Sequence, residues 1–439
     1  MQHAFPEALE HPALTPVCRA MLGLLSQNRT LSASLLRMLS ASEWPLFLET
    51  CRRQAVAPLI WRRIAEQGLA PDIPGPVRAG MKQSYLASEA RNLFHFSKLD
   101  RITGALGRAG IPVALLKGAH IGRYVYRNPA LRPMADIDLL VRPEDVNRAL
   151  RVMHELGYRG GASIPFKLMR DFHHHAPTLD DGSGVAVEIH WNIVPPNRHF
   201  PVDPDDLWRN AHCMEAGPSE KIHLLAPEAV LLSVCAHAAW QHRLSLNSIL
   251  SLADMDRIAR DGVDWQTFLS QASDWRMQRP AYLGLTLIQR FLGSPVPDAV
   301  ITSLRPEGDT ETIEDLAATL LCAASPAVSL SRRAPEALNA RNLPKAAQAV
   351  FRLMVPHRIQ FAYFYEVNPS YTNLLRNYPR WIADLLHRHG RTIWNVLRKD
   401  PVTVQAFRTA EKQHALSLWL ENSGQGPLTS VQAGRTPAG

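Results

Sequence analysis

Apolar residues recur three and four positions apart through the first ninety residues, in VCRAMLGLL, WPLFLETCRRQ and LIWRRIAEQ, and this spacing predicts amphipathic helices. Gly68, Pro71, Pro74 and Pro76 punctuate them. A longer helical pattern runs from about Pro76 to Arg108 and stops at Gly110. The period then changes. IPVALL (111–116) is a short apolar strand, KGAHIGRYVYRNPALRP a Gly-interrupted turn with a helical turn or two, and MADIDLLV (134–141) a second strand. PEDVNRALRVMHELG (143–157) carries helix start and stop signals in its acidic first turn and closing Gly157. A hairpin follows, with arms at about 173–179 and 185–191 and the turn Asp180 to Gly184. From Ala226 the helical period returns in EAVLLSVCAHAAWQHRL, LSLADMDRIARDG, DWQTFLSQASDW and AYLGLTLIQRFLG, and further helical stretches lie between about 311 and 420. The last stretch, 422–439, is rich in Gly, Ser, Pro and Thr and reads as a disordered tail.

The pattern divides the chain into a helical region at 1–90, an α/β core at 91–225, a helical region at 226–300, a further helical region at 301–421 and the tail. Its 439 residues, 46% hydrophobic and 20% charged, have an ordinary globular composition. The net charge of +8 fits a polyanionic ligand but is too dispersed to require nucleic acid, because no four consecutive Lys/Arg occur. The Arg- and His-rich stretch Arg376 to Arg398 reads first as an amphipathic helix with a solvated face. Five cysteines, far apart and without a C-x-x-C pair, suggest reduced thiols rather than a disulfide framework or a zinc site. The N-terminus lacks an apolar leader segment and no stretch is long and apolar enough to cross a membrane, so the expectation is a cytoplasmic protein without a membrane partner.

Charge inside two of the strands changes the picture. In DIDLLV, Asp136 and Asp138 interrupt apolar positions, and a strand projects both from one side with Cα atoms roughly 6.5–7 Å apart. Two carboxylates so placed can share divalent cations, as two-metal phosphoryl and nucleotidyl transfer requires. A third acid, Glu188, interrupts VAVEIHW, where Ala186, Glu188 and His190 share one face and the apolar residues the other. D-x-D alone reads equally well as an exposed strand end. Upstream, LLKGAHIGR places Lys117 and Gly118 where strand 111–116 ends, a turn at which glycine lets backbone N–H groups approach a phosphate and lysine adds charge. The plain reading there is an ordinary turn with a solvated lysine.

LLKGA, DID and VEIHW in this order resemble the nucleotidyltransferase superfamily related to DNA polymerase β. LLKG, RPMADIDLLV, HELGY, VEIHW and LLSVCAHAAW together resemble, over about 75–300, its bacterial group of uncharacterised nucleotidyltransferases. The resemblance implies an α+β fold, a small mixed β-sheet core flanked by N-terminal and C-terminal helices. It implies an enzyme that uses Mg²⁺ or Mn²⁺ to transfer NMP from an NTP, ATP first among them, to a hydroxyl of a protein, an RNA or a small metabolite. Asp136, Asp138 and Glu188 would be the catalytic and metal-binding acids, and Lys117, Gly118, Arg132 and His190 would meet the nucleotide or its phosphates. Arg123, one to two helical turns past Gly118, is a weaker candidate. Lys117-Gly118-Ala119 stands where the broad superfamily has Gly-Gly or Gly-Ser, which keeps open a non-catalytic nucleotide-binding module of regulatory or antitoxin-like type.

The remaining candidates weigh less. His173 and His175 of HHH would share a strand face, but no further ligand stands at metal-site spacing, and a strand lining the cleft is the better reading. His237, His242 and Asp254 fall in the helices after the core, where a lone His is more often a hydrogen-bonded core residue. Trp240, Trp265 and Trp275 sit at helical spacing with other apolar residues and read as core.

Overall fold

The computed structural model describes residues 7–26, 28–160, 165–196, 199–217, 220–245, 247–323, 358–365, 367, 370–397 and 401–421. The expected tail at 422–439 lies outside the described residues. A single five-stranded mixed sheet forms among them, with strands β1 (Ala114–Leu115), β2 (Asp136–Leu140), β3 (Ala186–His190), β4 (His212–Gly217) and β5 (Glu220–Leu224) in the order β3-β2-β1-β5-β4. β2 runs antiparallel to β1 and parallel to β3, and β5 runs parallel to β1. This is the α+β architecture the periodicity and the resemblance imply.

The elements keep close to the sequence pattern. The long helix spans Gly75–Arg108, and the chain leaves it through Gly110 at φ +67°, a conformation glycine adopts without penalty. The 173–191 hairpin survives as antiparallel bridges His175 to His190 and Leu179 to Val187, so β3 has β2 on one side and this arm on the other. Strand 111–116 shortens to two paired residues. β4 and β5 are additions, since HCMEAG and EKIHL mix polar and apolar positions with no clean alternation. His212, Cys213 and Glu215 face water, so β4 presents the irregular, polar pattern of an outer strand.

Two hydrophobic cores support this arrangement. One joins the apolar face of the sheet to the helices Gly75–Arg108 and Val146–Glu155 through Leu106, Ile137, Leu139, Val187 and Ile189. The other merges helices from both ends of the chain, with Met21, Phe47 and Ile60 in the same cluster as Leu231, Tyr282 and Phe291. Trp240 and Trp275 are buried within it and Trp265 packs at its margin. No helix among the described residues is long and apolar enough to cross a membrane. One expectation fails: Cys51, Cys213 and Cys235 are free, but Cys18 is disulfide-bonded. Sequence separation does not report which cysteines helix packing brings within bonding reach.

Candidate active site

Strand pairing sets the site. In the parallel register of β2 and β3, Asp138 stands opposite Glu188 and Asp136 opposite Ala186, so three acids of two strands share one end of the sheet. His190 lies two residues beyond Glu188 on the same face. Its Nε2 is 2.8 Å from Asp138 Oδ1 and 3.2 Å from Glu188 Oε2, and the ring is fully buried. From the turn after β1, Lys117 Nζ donates to the same Asp138 Oδ1 at 3.0 Å. Lys117 reaches it from a left-handed backbone, φ +38°, which costs a non-glycine residue on the order of 1–3 kcal/mol and persists where surrounding contacts fix it.

The two aspartates of D-x-D differ electrostatically. Burial pushes Asp136 up, repulsion from Asp138 adds to it, and its carboxyl is raised to about 6. Burial pushes Asp138 the same way, but the Lys117 ammonium and the hydrogen bond from His190 outweigh it and hold Asp138 well below the ordinary carboxylate range. His190 is raised: burial opposes its charged form, and the hydrogen bonds to Asp138 and Glu188 overcome that opposition. Glu188, pushed up by burial, is pulled lower overall by His190 and His175. Asp138 and His190 therefore form a charge-stabilised buried pair, while Asp136 makes no ion pair or hydrogen bond of its own among the described residues and the Lys117 and Arg132 charges offset its burial only in part.

Asp136, Asp138, Lys117, Gly118 and Arg132 line one cleft of about 620 Å³. Both hydrogen bonds to Asp138 fall on Oδ1, leaving Oδ2 without one. A hard divalent cation fits this donor set, since it takes one or two carboxylates and completes its shell with water and phosphate oxygens. Asp138, Glu188 and His190 also each offer a ligand atom within 4.8 Å of the others. Glu188 is not among the cleft-lining residues; it accepts from Thr178 through Oε1 and meets His190 through Oε2. Its place is behind the D-x-D pair, holding His190.

Arg132 has a different neighbour from the one the sequence suggests. Its Nε and Nη2 lie 3.0–3.2 Å from the Asp254 carboxylate, and Asp254 is buried in the helix Ser248–Asp261. The pair ties the helical region to the turn leading into β2. Gly118 is needed at the same point: a Cβ there would stand 2.9 Å from Arg132 Nη1 and 3.1 Å from Met134 Cγ. Arg123 lies outside the cleft lining and pairs with Asp100. His175 sits at the back of the site, its ring centroid 4.9 Å from that of His190.

Three contributors escaped the sequence reading or were undervalued by it. Asn92 is buried in the Gly75–Arg108 helix; its Nδ2 donates to the Pro129 and Arg132 carbonyls and its Oδ1 accepts from Met134 N, which fixes the loop entering β2. An amide in the buried helical stripe Ser88, Asn92, His95, Leu99 is the signal that could have found it. Across the cleft, His237 and His242 bring their Nε2 atoms to 3.1 Å. His237 begins a π-helical turn, His237–Gln241, and a second such turn, Ile121–Val125, follows Lys117–His120. Turns of this kind concentrate at functional sites.

A family model described as an uncharacterised nucleotidyltransferase matches residues 40–293, more than half of the chain. No curated protein and no solved structure matches.

Proposed function

Because the chain belongs to the family of uncharacterised nucleotidyltransferases, we propose that it is an enzyme transferring a nucleoside monophosphate from an NTP, ATP first among them, to an acceptor hydroxyl of a protein, an RNA or a small metabolite, with release of pyrophosphate. One observation carries this reading: Asp136 and Asp138 open together into a single cleft beside Lys117, with Asp138 held ionised by its partners and Asp136 making no ion pair or hydrogen bond of its own among the described residues. Asp136 and the free oxygen of Asp138 would hold Mg²⁺ or Mn²⁺, with Glu188 and His190 behind them. The metal would supply neutralisation of charge developing on the α-phosphate and the leaving pyrophosphate.

The chain's own residues do the rest. Lys117, at the N-terminal end of the Lys117–His120 turn, presents an ammonium to phosphate oxygens. His190 keeps Asp138 as an oriented anion. Asp136, raised to about 6 without a cation beside it, is the carboxylate that gains most from binding one. Arg132, held by Asp254, keeps the helical wall against the core.

The test is incubation of the full chain with each α-³²P-labelled NTP, Mg²⁺ or Mn²⁺ and a cell lysate, followed by detection of labelled acceptor and pyrophosphate. Loss of labelling in Asp136→Asn is the expected result. Absence of labelling with every nucleotide would refute the enzyme. A specific observation favours a second reading, the non-catalytic nucleotide-binding module: the Lys117 ammonium already sits on Asp138 where a cation would bind. Under that reading, nucleotide binds equally well with EDTA present and no pyrophosphate appears.

A further inference from the structure

Seven charged residues line the cleft: Arg52, Arg91, Lys117, Arg132, Asp136, Asp138 and Asp254. Four of them cancel in place, Lys117 against Asp138 and Arg132 against Asp254. Asp136 stands at the proposed metal position. Arg52 and Arg91 are left over as positive charge without an acid, and Arg91 makes no ion pair among the described residues.

These two arginines lie together on one wall. Ser84 and Ser88, like Ala87 and Arg91, stand one turn apart along the Gly75–Arg108 helix, so the four form one stripe, and all four line the cleft. Arg52 reaches the stripe from the helix Glu43–Arg53, its Nε donating to Ser84 Oγ at 3.0 Å and its Nη2 to the Gly80 carbonyl at 3.1 Å. Those bonds fix its guanidinium and leave Nη1 uncommitted. Between the arginines, the Ser88 hydroxyl is more than nine-tenths buried and has no hydrogen-bond partner. A buried hydroxyl without a partner costs on the order of 1–3 kcal/mol, so its retention at a cleft wall points to a group that arrives with a ligand. The opposite wall differs: Val230, Val234 and Leu250 give it an apolar surface that His237, Asn247 and Ser251 edge with polar groups.

We infer that the wall formed by Arg52, Ser84, Ser88 and Arg91 is the acceptor subsite, and that the acceptor carries an anionic phosphoryl group near the hydroxyl it offers. The inference rests on the nucleotidyl-transfer reading, which already gives the triphosphate the D-x-D acids and Lys117. Planar guanidinium groups with an adjacent hydroxyl match the oxygen geometry of a phosphoryl group. The class of acceptor is thereby narrowed to phosphorylated molecules, and neutral alcohols are disfavoured.

Calorimetric titration of the full chain with inorganic phosphate tests it, alone and saturated with α,β-methylene-ATP and Mn²⁺. Phosphate is expected to bind in both states, and Arg91→Gln or Ser88→Val to weaken it by about tenfold or more. Affinity for the nucleotide analogue should shift less than about twofold, the scale of a lost contact that the analogue does not make. Arg91 is exposed, so its variant folds, and Arg91→Lys should retain part of the affinity. Phosphate displaced by the analogue, together with weaker analogue binding in Arg91→Gln, would assign the wall to the nucleotide's own phosphates and overturn the acceptor subsite. Phosphate affinity unchanged in Arg91→Gln would also overturn it. Failure of the wild-type chain to bind the analogue would sink the nucleotidyl-transfer reading, while the titration with phosphate alone still decides whether the wall takes an anion.

Discussion

The Nε2 of His190 lies 2.8 Å from Asp138 Oδ1 in an environment from which both side chains are excluded from water. A second carboxylate, Glu188, meets the same nitrogen, so one imidazole bridges neighbouring acids of β2 and β3. His190→Phe removes the bridge and leaves the buried Asp138 carboxylate facing the half-buried Glu188. Breaking a buried charged pair from one side costs about 3–5 kcal/mol, and thermal denaturation should show a loss of that order. His190 is raised above its unfolded value of about 6.5, so its contribution is complete below that value and is lost as pH rises through the folded value. The penalty in His190→Phe is therefore larger at pH 6 than at pH 9. Mn²⁺ should return part of the lost stability by supplying the missing positive charge, whereas a variant equally stable at every pH would deny the bridge its role.

Asp136 loses its contribution in the same direction, over a lower pH range. Its folded carboxyl is raised to about 6 from an ordinary value near 3.8, so its contribution to stability is fully present below 3.8 and is lost as pH rises through 6. At pH 8 the ionised carboxylate strains the fold by at most about 3 kcal/mol, the free-energy equivalent of that displacement. Asp136→Asn should therefore melt higher than the wild-type chain at pH 8 and gain little at pH 4, while losing metal-dependent nucleotide binding altogether. A site that destabilises its own fold is retained for a ligand that neutralises it. An unchanged melting temperature at pH 8 would remove this argument.

The sequence made the acids and the sheet legible because charge inside an apolar strand is a local anomaly. Asp136, Asp138 and Glu188 each put a charge among apolar strand residues, the period of two sets Asp136 and Asp138 on one side, and the parallel pairing of β2 with β3 brings Glu188 beside them. The partners that set their chemistry arise from chain crossings of high sequence separation: Arg132 meets Asp254 across 122 residues, and Asn92 reaches Arg132 across 40. No periodicity encodes such meetings. The same holds for Cys18 and its disulfide, and for β4 and β5, where the pairing of β5 with β1 and of β4 with β5 supplies an order their mixed composition does not.

Arg132 and Asp254 offer a measurement of how firmly the helical region is held to the core. Asp254→Asn leaves a guanidinium in a largely dry site and Arg132→Gln leaves a buried carboxylate that burial already raises above its ordinary value. Each single variant should lose about 3–5 kcal/mol. The double variant Arg132→Gln, Asp254→Asn should lose much less than the sum, because neither charge is left alone. Strict additivity of the two losses would show that the ion pair does not act as a unit.

Gly118 yields the last prediction. Adding a methyl group places a carbon 2.9 Å from Arg132 Nη1. A free arginine would swing aside at little cost, but this one is held by Asp254 through two nitrogens. Gly118→Ala should therefore destabilise by about 1–3 kcal/mol, the usual range for overpacking a well-ordered contact. In the background of Arg132→Met, Asp254→Leu the guanidinium is gone, and the same substitution should cost measurably less. A penalty that persists unchanged in that background would place the need for glycine in the backbone approaching phosphate rather than in the packing of Arg132, and nucleotide affinity rather than melting temperature would then carry the effect.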